Sequence, residues 1–259
     1  MRFSTQETLF AFPLDKGNSL AMNMDHGRTQ YQLIRIALCD QIEHGGLKAG
    51  SKLPSERMLS ERFGTTRVTL REALASLEAD GLVYREDRRG WFVAPQRLVY
   101  DPTRNANFHT MVTDQGRSPA TRLLSASLVP ATAGVQRLLG LQPLTPVYRL
   151  QRLRSVDNRV VVYVENYIIP EYFPGLLEHN LERSLSDVYR EHYSTAYHRV
   201  RFQLYPVGLH GDSAHHLKVT TGSSGLLVTR VNQNSEGLVI DCDLEYWRHD
   251  AIVITAETG

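Results

Sequence analysis

The chain has 259 residues, 42% hydrophobic and 22% charged, and a formal net charge of +1. That composition is that of an ordinary globular chain and not a disordered one; no run approaches the ~18 apolar residues that span a bilayer, so no membrane partner is expected. Two cysteines far apart, Cys39 and Cys242, make no disulfide framework.

Residues 1–28 lack strong periodicity and are read as a flexible tail. Met22 and Met24 leave open an internal start. The opening lacks both a sustained apolar stretch and a small-residue cleavage site, so no secretory leader is expected and a cytoplasmic location fits. From Tyr31 the pattern tightens: Tyr31, Ile34, Leu38 and Ile42 recur at helical spacing and Gly45-Gly46 stops the helix. Ser55 is placed to cap a short helix carrying Leu59 and Phe63, which Gly64 ends. Thr65 or Thr66 then caps a further helix with Leu70, Ala73, Leu74 and Leu77 on one face and Asp80-Gly81 closing it. Two short helices joined at a glycine make a helix-turn-helix. In "LVYREDRRGWFVAP" two strands, 82–84 and 91–93, form a hairpin, so residues 29–95 are predicted to be a winged helix-turn-helix.

Residues 96–106 are read as a linker. Residues 107–259 have another grammar: a short helix at 108–115, an amphipathic stretch "ATAGVQRLLG", and six strand-like runs. The turns "VDNR" (156–159) and "SEG" (235–237) join some of them as hairpins. This pattern predicts an α+β chain whose second domain is built on an antiparallel sheet.

Charge placement hints at the first domain's role. Residues 28–97 hold twelve Lys or Arg against nine Asp or Glu, whereas the rest of the chain is nearly balanced. On the helix after Gly64, Arg67 and Arg71 share a flank while Val68 and Glu72 point outward. A helix opening on Thr, Arg and Val is poor for its own stability. It suits DNA: threonine hydroxyls and the helix N-terminus meet phosphates, arginine reads guanine, and a valine methyl can touch thymine. The plain alternative is a solvated face with idle arginines. The glycine turn before it, and Arg88, Arg89 and Gly90 at the hairpin tip after it, favour DNA.

"KLPSERMLSERFGTTRVTLREALASLEADGLVYREDRRGWFVAP" resembles the DNA-binding domain of GntR-type bacterial transcription regulators. The resemblance implies DNA contacts at Ser55, Arg57, Thr66, Arg67, Thr69, Arg71, Arg89 and Gly90. Trp91 departs from the pattern, since many members have a small or β-branched residue there.

In the second domain Arg152 and Arg154 alternate by two, so on a strand they share one side with Leu150, opposite Gln151 and Leu153. Spacing alone favours a solvent-facing strand with salt bridges over an anion site. "LQRLRSVDNRVVVYVENYIIPEYFPGLL", "SLSDVY" and "LEYWRHD" resemble the sensing (UTRA) domain of the HutC branch, whose fold is similar to chorismate lyase. The resemblance turns the reading towards an anion: Arg152 and Arg154 would hold a phosphate-like group, with donors from Ser184, Ser186 and the Asn107-Phe108-His109 turn. Here Ser184-Leu185-Ser186 replaces the Ser-x-Tyr of many relatives, and His109 replaces a serine. Glu165 and Asp241 are the acids expected to face the other end of a zwitterionic effector; their alternative is pairing with the arginines or with surface charges. Tyr163, Tyr246 and Trp247 fit either a pocket wall or the core.

"TTRVTLRE", "DRRGWFVAP", "DPTRNANFH" and "EYWRHD" are most similar to regulators of 2-aminoethylphosphonate utilisation. That implies a repressor released by 2-aminoethylphosphonate or a breakdown product, acting as a homodimer on a near-palindromic operator. A sugar phosphate or an amino-acid-related metabolite is the alternative effector. A chorismate-lyase-like enzyme is the other class. No Ser-His-Asp signature, phosphate loop or H-E-x-x-H spacing supports it; His215-His216 reads as surface, and no cofactor or metal is expected.

Overall fold

The computed structural model describes residues 29–86, 88–104 and 107–257. The expected tail, 1–28, lies outside them, as do 105 and 106 of the expected linker. The chain divides into two compact units that meet between Gln96 and Arg97.

The first unit runs α1 (Gln30–Glu43), α2 (Glu56–Arg62), α3 (Arg67–Ala79), β1 (Val83–Glu86) and β2 (Gly90–Val93). Ile34 and Leu38 of α1, Leu59 of α2, and Leu70, Ala73, Leu74 and Leu77 of α3 close one core with Val83, Trp91 and Val93. Each fully buried leucine or valine contributes about 1.5–3 kcal/mol. Gly64 takes φ +58° in the α2–α3 turn, a region costly for any residue with a Cβ. Of the two candidate caps for α3 it is Thr66 that accepts the Thr69 amide. β1 and β2 pair antiparallel, Val83 opposite Val93, and the first strand continues two residues past the predicted 84.

The second unit begins with β3 (Leu98–Tyr100) and α4 (Phe108–Thr113). β4 (Pro119–Pro130), α5 (Ala133–Leu139), β5 (Pro146–Val156), β6 (Arg159–Ile168), α6 (Leu185–Tyr193) and β7 (Arg199–Gly208) follow. α7 (Gly211–Leu217), β8 (Ser224–Gln233), β9 (Val239–Arg248) and β10 (Ile252–Ile254) complete it. Six strands form one antiparallel sheet in the order β4-β5-β6-β9-β8-β7. Asp157 and Asn158 both have positive φ at the β5–β6 turn, as a two-residue primed turn requires.

The linker reading of 96–106 needs correction. Residues 98–100 form β3, which pairs in parallel with β10, and Leu98 and Tyr100 are buried. Strands of three residues are too short to show a period, which is why both were unreadable.

Opposed residues of an antiparallel sheet point to the same side. One side therefore carries Arg152 and Arg154 of β5, Asn166 of β6, Asp241, Asp243 and Glu245 of β9, and Arg230 and Asn232 of β8. At one end of this polar band β3, β10 and α4 pack over Trp247. At the other, α6 and the segment around Phe173 and Leu176 pack over Leu150 and Ile168. The reverse side is apolar under α5 and α7.

Candidate functional site

The first candidate surface is the start of α3 with the hairpin. The Thr66 hydroxyl accepts from the Thr69 amide at 3.2 Å and lies 3.0 Å from the Thr69 hydroxyl. Behind them the leucine stripe is buried, while Val68 is 66% exposed. Arg67 is exposed and makes no ion pair among the described residues. Ser55 caps α2, accepting from the Met58 amide at 3.3 Å. Arg57 pairs with Glu61 at 2.9 Å, both exposed, and Arg89 pairs with Glu86 with its guanidinium 5.3 Å from the Phe92 ring. An exposed pair such as Arg57–Glu61 is worth about 0–1 kcal/mol, so a phosphate can draw that arginine away; Glu86 is largely covered, but the Arg89 side chain is itself exposed. Gly90 has φ +98°, with Lys52 3.5 Å from where a Cβ would sit.

Arg71 is held more firmly. Its Nε donates to Glu56 at 2.7 Å, and the same carboxylate accepts the Trp91 indole N–H at 3.1 Å. Burial alone would raise the Glu56 carboxyl; the Arg71 and Trp91 hydrogen bonds overcome it and hold the group below its ordinary value. Trp91, which departs from the family pattern, thus ties the hairpin to α2 and, through Glu56, to α3. Glu56→Gln is expected to loosen both and to cost about 1 kcal/mol of stability, the worth of one hydrogen bond. Urea melts check this; an unchanged midpoint would show that the junction does not depend on the Glu56 charge.

The second candidate is a cavity of about 470 Å³ on the polar side of the large sheet. Arg104, Arg152, Arg154, Arg190 and Arg230 line it against two acids, Asp187 and Asp243. Arg152 is 2% exposed. Its Nε donates to Asn166 Oδ1 at 2.8 Å and its Nη1 to the carbonyls of Leu181 and Arg183 at 3.3 and 3.2 Å. Among the described residues its Nη2 has no acceptor. Burial, then the neighbouring Arg154 charge, push the Arg152 guanidinium down to about 10, against the pull of Asp243, so it stays charged at neutral pH. Arg154 reaches Glu245 at 3.3 Å and lies 5.1 Å from the Phe108 ring.

Ser184 and Ser186 bring their hydroxyls within 2.8 Å of each other at the start of α6. The Ser184 hydroxyl does not cap the helix; the pair shares one hydrogen bond, which leaves one hydroxyl proton, with the Leu185 and Ser186 amides, to donate to an anion. Asn107 caps α4 through the Thr110 amide at 2.9 Å and, with Phe108, lines the cavity. His109 lines an adjoining cavity of about 330 Å³ that shares Arg152, Arg154 and Ser184.

The two acids expected at the far end are not there. Glu165 alternates onto the reverse side of β6, opposite Gln151. It is engaged by Arg149 and by the hydroxyls of Tyr163 and Tyr167 at 3.0 and 3.1 Å. Asp241 has the right side but is fully buried. It accepts from the Tyr197 hydroxyl at 2.8 Å and from Asn232 Nδ2 at 2.5 Å, and Tyr197, not Asp241, lines the cavity. Burial and the nearby Asp243 charge push its carboxyl well up. Asp243 is the cavity acid on β9. Tyr163 and Tyr246 face the reverse side with Glu165. Trp247 is core, packed 6.2 Å from Phe108, and His216 stacks on Tyr163 at 5.6 Å. Sequence reasoning missed Asn166, Arg230 and Asp243. The D-x-D-x-E alternation at 241–245 was the available signal: three acids on one side of a central strand demand cations opposite.

Among the described residues no group of His, Cys, Asp and Glu could hold a metal ion, and no helix is long and apolar enough to cross a membrane. Residues 30–93 match the family "bacterial regulatory proteins, gntR family", and residues 114–252 match the UTRA domain. The uncharacterized HTH-type transcriptional regulator YihL of Escherichia coli is 35% identical, over 82% of this chain and 90% of the relative. The HTH-type transcriptional repressor NagR of Bacillus subtilis is 28% identical, over 85% and 90%. The crystal structure of PhnF from Mycobacterium smegmatis superposes with a TM-score of 0.61 at 25% identity, covering 87% of this chain and 99% of that one.

Proposed function

The chain belongs to the gntR family of bacterial regulatory proteins, with a UTRA domain of the HutC type, and from that premise we propose that it represses a phosphonate-utilisation operon. It is a DNA-binding transcription regulator and not an enzyme. In the proposed mechanism two copies form a homodimer in the cytoplasm and set their α3 helices about one helical turn apart on a near-palindromic operator. The effector is a small phosphonate, 2-aminoethylphosphonate or a breakdown product. It binds the released state better than the DNA-bound one, and that difference alone sets how far the operator is vacated.

The observation that carries this reading is that Arg152, Arg154, Ser184 and Ser186 line one cavity, the two serine hydroxyls 2.8 Å apart. Arginine forks match a tetrahedral oxyanion, and a hydroxyl completes its shell. Support for phosphonate in particular comes from the sequence resemblance. The size of the cavity, about 470 Å³, exceeds what a two-carbon phosphonate fills and favours a sugar phosphate as the second reading.

A gel-shift series with a thermal-shift screen of phosphonates, sugar phosphates and amino acids tests the proposal. Absence of sequence-specific binding at low salt would remove the DNA claim. An operator complex indifferent to every phosphonate would remove the ligand class. On the DNA side, Arg67→Ala is expected to cost about 1–3 kcal/mol and to relax preference at one base position. A uniform loss across all operator variants, with a shallower salt dependence, would instead make Arg67 a phosphate contact.

A further inference from the structure

We propose that Arg230 is a ligand-binding residue of this cavity, and that the group it takes is a hydrogen-bond acceptor at the far end of the effector, a carboxylate or a carbonyl. The inference rests on the reading that the cavity takes a phosphonate, and it names the chemistry of the other end.

A buried guanidinium offers five N–H donors, and buried donors in folded proteins find acceptors. Arg230 is an exception. Its side chain is 13% exposed, yet the nearest carboxylate oxygens are Glu245 Oε1, 3.7 Å from Nη1, and Asp243 Oδ2, 3.9 Å from Nε. Both exceed hydrogen-bond range, and Nε is buried with no partner. The two carboxylates are committed elsewhere. Asp243 accepts from Asn166 and, at 3.4 Å, from Asn232. Glu245 accepts from Arg154 at 3.3 Å and from the Trp247 indole at 3.0 Å. They balance the charge of Arg230 without answering its donors. The Phe202 ring, 5.4 Å from the guanidinium carbon, covers a face of the fork.

Arg230 also stands where two cavities meet. It lines the one that holds Arg152 and Arg154, and a second of about 350 Å³ beside Tyr100 and Thr255; Arg104 is shared by both. A ligand anchored by its phosphonate at Arg152 and Arg154 therefore presents its far end to Arg230. An ammonium there would meet a like charge, with Asp243 already engaged. A carboxylate or carbonyl would supply an acceptor to the two Nη groups, which make no hydrogen bond among the described residues and are not sealed off as Nε is. The favoured effector is then a phosphonate whose amine has been exchanged for an oxygen function.

Thermal-shift titrations of the full chain with four probes test this: inorganic phosphate, ethylphosphonate, phosphonoacetate and 2-aminoethylphosphonate. Wild-type protein is expected to bind phosphonoacetate roughly tenfold more tightly than ethylphosphonate, as one charged hydrogen bond implies, and more tightly than 2-aminoethylphosphonate. Arg230→Gln is expected to erase that margin while leaving the shift with inorganic phosphate in place. If the glutamine variant does not fold, Arg230→Lys replaces it and is expected to keep only part of the margin, since a lysine has no fork. An undiminished margin in either variant, or tighter binding of 2-aminoethylphosphonate than of phosphonoacetate, overturns the role of Arg230 with the phosphonate reading intact. No shift with any of the four probes overturns both.

Discussion

Arg154→Ala is expected to bind operator DNA as the wild type does and to lose its response to the effector. Among the described residues Arg154, in the cavity wall, makes one direct hydrogen bond, to Glu245, and has one aromatic neighbour, Phe108. Without it the buried Glu245 keeps the Trp247 indole at 3.0 Å and Arg230 at 3.7 Å, so a stability cost accompanies the loss and the melt of the ligand-free variant is the baseline for its thermal shift. Truncating one partner of a desolvated charge pair costs about 2–5 kcal/mol in binding, so effector affinity should fall roughly 30-fold or more. The readouts are the ligand-induced thermal shift and operator release in a gel shift, both measured on one protein preparation. Arg152→Ala should lose the response as well, again with a stability penalty, because it also strips donors from Asn166 and two backbone carbonyls. A full effector response in Arg154→Ala would move the ligand site out of this cavity.

The second large effect concerns stability. Asp250, fully buried, sits between two arginines, accepting from Arg159 at 2.5 Å and from Arg248 Nε at 3.2 Å. Asp250→Ala leaves both guanidiniums without that carboxylate in a dry site and is expected to cost about 3–5 kcal/mol, read from urea or thermal melts. The acid limb of stability follows from the same group. Burial alone would raise the Asp250 carboxyl, but Arg248 and Arg159 hold it below its ordinary value. Its contribution is therefore complete above the ordinary carboxylate range, near pH 4, and is lost as pH falls through the depressed folded value. Asp241 acts with the opposite sign. Its carboxyl is raised, so its contribution is greatest below the ordinary range and falls as pH rises through the raised value. Asp250→Asn should flatten the acid limb, and Asp241→Asn the loss towards neutral pH. Melts from pH 3 to 8 separate the two.

Both units were legible in the sequence to different depths. The helix-turn-helix declared itself because its signals are local: a cap at Thr65 or Thr66, a glycine at 64, a four-residue leucine rhythm, a short hairpin. The long strands of the second unit were equally readable, since runs of about ten residues rich in β-branched and aromatic side chains, bounded by turn residues, read as strands. The cavity was half readable. Arg152 and Arg154 announce a shared side by their spacing, whereas Arg230 and Asp243 lie some 75 to 90 positions further on and join them only through strand order, with β9 inserted between β6 and β8. The misplacement of Glu165 has the same origin. One step along β6 separates it from Asn166, and that step crosses the sheet. Parity against β5 would have put it beside Gln151, but the pairing register is not written in either strand alone.

The parallel pairing of β3 with β10 has a consequence for how such proteins are assembled. The second unit's first strand lies directly beside its last, so the peptide comes into the unit and leaves it within about 10 Å. A unit closed on itself in this way can be lifted from one polypeptide and spliced to another without opening its sheet. The unit is in that sense a cartridge, with a clasp made of its own first and last described strands.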